Sequence, residues 1–129
     1  MTDLMNPLRT DGEAIPTLVA MLKKELGVRI AKLVLSTDGA TINKWIKGTV
    51  EPTANQKRLI YSAGYVINVL KAYVEPKELK LWMVSHSEYL YGIPAMELRH
   101  RPEDVQNAAL NRVSRGEHHE LLAAQLSEG

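Results

Sequence analysis

Polar side chains able to bond DNA bases cluster in residues 40–47. Ile42, Trp45 and Ile46 have the spacing of three to four residues that marks a buried helix face. The remaining positions carry polar groups that suit base edges, since asparagine can bond adenine bidentately and lysine can reach guanine or a phosphate. The candidate base-reading residues are Thr41, Asn43 and Lys44.

Side chains around this segment could bond the phosphates that border a groove. Residues 29–58 contain six lysines and arginines against two acidic residues, whereas residues 75–129 contain six against nine. This asymmetry predicts that the first half contacts nucleic acid and that the second half has a different task. The candidate phosphate contacts are Arg29, Lys47, Thr49, Thr53, Asn55, Gln56, Lys57 and Arg58.

The elements that must position these side chains are all predicted to be helices, because no stretch alternates at period two. Residues 28–35 and 40–47, joined by a polar turn, have the pattern of a helix-turn-helix unit. In such a unit the second helix presents its outer face to the major groove. The predicted helices of the first half are 14–26, which stops at Gly27, then 28–35, 40–47, and a long helix from 53 or 55 to 74.

Prolines mark predicted helix starts in the second half, because their missing N–H costs least in a first turn. Pro76 opens the run PKELKLWMV, Pro94 opens PAMELRH, which extends to residue 100, and Pro102 opens PEDVQNAALNRVS. The whole chain is therefore predicted to be all-α, a helix-turn-helix bundle followed by a small helical module. The predicted divisions are an N-terminal arm at 1–13, a DNA-binding domain at 14–74, and a module for partner binding or dimerisation at 75–129.

The run IAKLVLSTDGATINKWIKGTVEP, residues 30–52, resembles the Xre-type helix-turn-helix, including its Trp-x-x-Gly ending and the proline beyond it. The later runs NQKRLIYSAGYVINVL, LKLWMVSHSEYLYGIPAMEL and PEDVQNAALNRV resemble the second half of the Xre/MbcA/ParS antitoxin family. The resemblance covers roughly residues 18–113. It implies that the first half binds operator DNA and that the second half holds a toxin, commonly of the NAD-consuming RES class.

The second half also carries more apolar side chains than a linker needs, which predicts that it dimerises or holds a partner. Trp82 and Met83 are most simply core residues, and they are also candidates for that surface. A tail helix after Gly116 is the candidate mobile element that docks on the partner. The candidate partner-binding residues are Trp82, Met83, Tyr89, Leu90, Met96, Leu121 and Leu122.

No grouping of side chains supports catalysis, a metal site or a cofactor. His118 and His119 would point about 100° apart on a helix and could not share a metal from one face. His86 beside Ser85 and Glu88 has the ingredients of a triad, but closeness in sequence does not supply the geometry. The chain has no cysteine, which excludes disulfides and thiolate ligands. No apolar run approaches the roughly 20 residues of a membrane helix, so we expect a cytoplasmic protein.

These observations predict a transcriptional regulator that binds double-stranded DNA sequence-specifically as a homodimer. It would be of the antitoxin kind, or a phage or plasmid regulator built on the same plan. The alternative is a protein-interaction module, an antitoxin or adaptor, that holds a partner without reading DNA. A plain helical bundle, in which helix 40–47 merely carries solvated polar residues, is the simplest competing interpretation.

Overall fold

The computed structural model describes residues 14–87 and 90–114. All regular secondary structure in these residues is helical, which confirms the all-α prediction. The helices of the described residues are α1 (Ile15–Leu35), α2 (Gly39–Lys47), α3 (Ala54–Lys71), α4 (Pro76–Met83), α5 (Pro94–Glu97) and α6, which covers residues 102–114.

Helix α1 consists of two helical segments joined by a kink at Gly27. This residue has φ 78° and ψ 160°, a backbone region that is essentially restricted to glycine. The kink confirms the break that the sequence predicts between the first two helices. The kinked helix contacts both α2 and α3.

A single hydrophobic core joins the two halves of the chain. Ile42 and Trp45 of α2 belong to the same buried cluster as Met83 of α4 and Val105 of α6. Helices α4 and α5 both pack against α1, and α4 also contacts α3. Apolar side chains of the first segments are inside: Leu18, Leu22, Leu26, Ala31, Val34 and Leu35 are buried, while Met21, Ile30 and Ile46 are half-buried.

Two predicted helices end earlier than their apolar pattern. Helix α3 stops at Lys71 instead of residue 74, and Glu75 is already extended, with ψ 154°. Helix α5 covers only Pro94–Glu97, whereas the sequence favoured a helix up to residue 100. Residues 72–74 and 98–100 form turns or bends before Pro76 and Pro102. The residue directly before a proline is disfavoured in helical conformation, so neither helix continues to its proline.

The predicted start of each proline-led helix is correct. Pro76 and Pro94 each occupy the first turn of their helix, and α6 begins at residue 102. Among the helices of the described residues, none combines the length and the apolar character needed to cross a membrane.

Candidate nucleic-acid interface

Helix α2 is fixed at both of its ends. The backbone N–H of Thr41 donates to Oδ1 of Asp38 at 2.7 Å, which caps the first turn. This hydrogen bond is the main reason that the pKa of Asp38 is lowered, and the charges of Lys44 and Lys32 contribute in the same direction. At the other end Gly48 has φ 75°, and its N–H donates to the carbonyl of Trp45 at 3.2 Å.

The two sides of α2 differ sharply in exposure. Ile42 is 0% exposed and Trp45 is 2% exposed, so this side anchors the helix in the core. Successive residues are about 100° apart around a helix axis, which places Lys44 and Lys47 opposite the buried pair. Both lysines are exposed. The helix therefore presents a basic ridge to solvent on a rigid support.

The other two predicted base-reading residues flank this ridge unequally. Asn43 is exposed on one side of it, while Thr41 is half-buried on the other. Oδ1 of Asn43 accepts a hydrogen bond from the ammonium group of Lys23 at 3.0 Å. Lys23 was not predicted as a site residue, because it lies in a different helical segment and no local pattern joins it to Asn43.

Several of the predicted phosphate contacts also build the connection between α2 and α3. The hydroxyl of Thr53 accepts from the N–H of Gln56 at 3.2 Å, and the Gln56 side chain accepts from the N–H of Thr53 at 2.7 Å. These reciprocal bonds form a capping box at the start of α3. The Thr49 hydroxyl donates to the carbonyl of Lys44 at 3.3 Å, which helps to close the end of α2.

The basic residues at the start of α3 have partners of their own. Arg58 donates to Oδ1 of Asn55 at 3.2 Å. The ammonium group of Lys57 forms an ion pair with the Glu51 carboxylate. The pKa of Glu51 is lowered and that of Lys57 is raised, and in both groups the main cause is the hydrogen bond between them. A phosphate that reached Lys57 would therefore compete with the Glu51 carboxylate. Arg29, from the second segment of α1, is exposed and lies apart from this pair in sequence.

The predicted partner-binding residues do not form one exposed surface. Met83 is 0% exposed and Leu90 is 7% exposed, so both are core residues and this part of the prediction is corrected. Trp82 is half-buried against the core, and Met96 is 38% exposed. Tyr89, Leu121 and Leu122 lie outside the described residues, as does the predicted tail helix.

Other large side chains, from the end of α3 onward, are more exposed than those predicted. Tyr73, just after α3, is 60% exposed, and Leu81 of α4 is 64% exposed. Tyr91 is 81% exposed, and the guanidinium carbon of Arg101 lies 4.5 Å from the centre of its ring. The sequence did not single out Leu81, because helical spacing alone does not separate it from its buried neighbours.

The loop after α4 shows a structural use for one of its polar residues. The Ser85 hydroxyl donates to the carbonyl of Leu81 and thereby closes the end of α4. His86 is exposed, and Glu88 lies outside the described residues, as do His118 and His119. Residues 14–87 and 90–114 contain no group of three or more histidine or acidic side chains able to hold a metal ion.

Comparison of the chain with protein-family models, with curated proteins and with solved structures finds no match. The resemblance to the Xre/MbcA/ParS antitoxins stays a prediction from the quoted sequence runs.

Proposed function

We propose that this protein is a sequence-specific DNA-binding transcriptional regulator that inserts α2 into the major groove. Lys44 and Asn43 contact base edges, while Lys47 and Arg29 contact the phosphates on the two sides of the groove. The N-terminal turn of α3, with Asn55 and Arg58, adds a further phosphate contact. The protein performs no chemistry in this role.

The observation that carries the proposal is the geometry of α2. Its inner side is buried through Ile42 and Trp45, its ends are fixed by Asp38 and Gly48, and its outer side is lined by exposed lysines. A helix that reads DNA needs its side chains held on a rigid frame, because a misplaced bidentate bond loses its discrimination.

The proposal is tested by selection of duplexes from a random library, followed by affinity measurements at two salt concentrations. We expect the wild type to enrich a defined sequence. Lys44→Ala should then lower affinity for that sequence by about tenfold, since one good base contact contributes about 1–3 kcal/mol. Affinity should also fall steeply with salt, because bound phosphates release their counterions.

The matched control is Lys80→Ala, which removes one exposed lysine from α4. Lys80→Ala changes net charge by the same amount as Lys44→Ala but leaves the ridge on α2 intact, so affinity for the selected duplex should change little. Equal losses for both variants, or a wild type that enriches no sequence, would contradict base reading by α2.

We further propose that the regulator acts as a homodimer, because one helix-turn-helix unit covers only a few base pairs and a two-fold dimer reads a palindrome. Light scattering at tens of micromolar, with and without the selected duplex, measures this directly. A monomer under both conditions would contradict the proposal.

A protein-interaction role is the second candidate function, and the exposed Tyr73, Leu81 and Tyr91 favour it. In this case the second half holds a partner protein, which the antitoxin resemblance implies to be a RES-like toxin. Purification from the native host separates the two functions, since a co-purified protein without any duplex preference supports the interaction module.

A further inference from the structure

We infer that Lys23 is a positioning residue that determines which base Asn43 reads; the inference rests on the proposed function. The Lys23 ammonium donates to Oδ1 of Asn43 at 3.0 Å, across 20 residues of sequence. Lys23 belongs to the segment of α1 that precedes the Gly27 kink, whereas Asn43 belongs to α2. The contact therefore joins the proposed reading helix to an element outside the two helices of the predicted helix-turn-helix.

This hydrogen bond fixes the orientation of the Asn43 amide. An ammonium group offers only donors, so it must face the amide oxygen and not the amide nitrogen. The Nδ2 group, which carries two N–H donors, then points away from Lys23. One acceptor position of Oδ1 is already occupied, and a positive charge stands beside it.

The orientation alters the base that suits Asn43. An asparagine reads adenine by donating to N7 and accepting from the N6 amino group. Guanine instead presents two acceptors, N7 and O6, in the major groove. A unit built from the Asn43 N–H donors and the Lys23 ammonium matches guanine, because both groups can donate to N7 and O6. With adenine, the ammonium would face the N6 amino group, and two donors with partial or full positive charge repel each other. In the duplex that the wild-type protein prefers, the base that Asn43 contacts is therefore guanine.

The test is a duplex selection with the wild type, Lys23→Met and Lys24→Met. Methionine keeps the unbranched shape of lysine and removes its donors. In Lys23→Met the amide oxygen is released, so preference at this one position should shift from guanine toward adenine by about tenfold. Lys24→Met removes the same charge from the neighbouring exposed residue, and it should keep guanine.

The side-chain amide signals of Asn43 in heteronuclear NMR spectra provide a readout that needs no DNA. These signals should move in Lys23→Met and stay in place in Lys24→Met. A wild-type preference for adenine, retention of guanine in Lys23→Met, or unmoved amide signals would each overturn the role of Lys23 and leave DNA binding standing. A wild type that enriches no sequence while the amide signals move would instead overturn the proposed function, and with it the assignment of a base to Asn43.

Discussion

At the scale of single residues, the ion pair between Lys57 and Glu51 decides how much positive charge the start of α3 offers to a phosphate. Both side chains reach solvent, so water and salt screen the pair. The pair nevertheless occupies the ammonium group that the sequence assigned to the DNA backbone. If the proposed function holds, Glu51 opposes phosphate binding at this position.

We predict that Glu51→Gln raises affinity for all duplexes alike without changing base preference. The released Lys57 would contact one more phosphate, so the slope of log affinity against log salt should steepen by at most about 0.9. Fluorescence anisotropy with two unrelated duplexes over a salt series measures both effects. Glu103→Gln, an equal charge change at an exposed residue of α6, is the control. An equal gain in that variant would show that only net charge matters.

The pair also has a defined dependence on pH. The pKa of Glu51 is below its ordinary value of 4.5. Its contribution to stability is therefore present above the ordinary value and is lost as the pH falls through the lowered one. The pKa of Lys57 is raised from 10.5, so its contribution is lost only as the pH rises through the higher value. Between these limits, including neutral pH, the pair is intact.

At the scale of elements, Gly27 separates the segment that carries Lys23 from the segment that begins the predicted helix-turn-helix. We predict that Gly27→Ala lowers the free energy of unfolding by about 1–3 kcal/mol, because its backbone region is strained for any residue with a Cβ. No heavy atom lies within 4 Å of the added Cβ, so the cost comes from the backbone and not from a clash. Urea denaturation followed by circular dichroism measures the change.

Gly39→Ala is the matched control for this prediction. Gly39 begins α2 with ordinary backbone angles, and an added Cβ would lie 3.7 Å from the Val28 side chain, an ordinary van der Waals distance. The variant should be neutral or slightly stabilising, since alanine favours helix. A loss in Gly39→Ala as large as that in Gly27→Ala would contradict the backbone explanation.

The ends of elements were largely predictable from the sequence because they depend on neighbouring residues. The backbone conformations open to glycine and proline depend on the residue itself, so Gly27, Gly48 and the prolines mark helix ends in any surroundings. The overlong predictions for α3 and α5 arose because an apolar pattern can continue into a turn. The Lys23–Asn43 hydrogen bond could not be predicted from the sequence, because it depends on how two helices pack across a kink and not on any spacing within one helix.

At the scale of the whole molecule, the core is shared by the helices of the first and second halves. The sequence divided the chain near residue 74 because charge and proline content change there. It could not decide whether Met83 faces a partner or the core, since both alternatives require an apolar residue on one side of α4. Packing of α4 against α1 and α3 decides in favour of the core.

This shared core predicts that damage in the second half destabilises the first. Met83→Ala should lower the free energy of unfolding by about 2–5 kcal/mol, because it removes a fully buried side chain and leaves a cavity. The measurement is urea denaturation in a Trp82→Phe background, where Trp45 fluorescence reports on the first half alone. We expect the Trp45 signal and the circular dichroism signal to shift together to lower urea concentrations.

The control is Leu81→Ala, at a residue that is 64% exposed on the same helix, which should change the free energy of unfolding by at most about 0.5 kcal/mol. If Met83→Ala produced two separate transitions, with Trp45 unaffected, the halves would be independent units and the shared core would not act cooperatively.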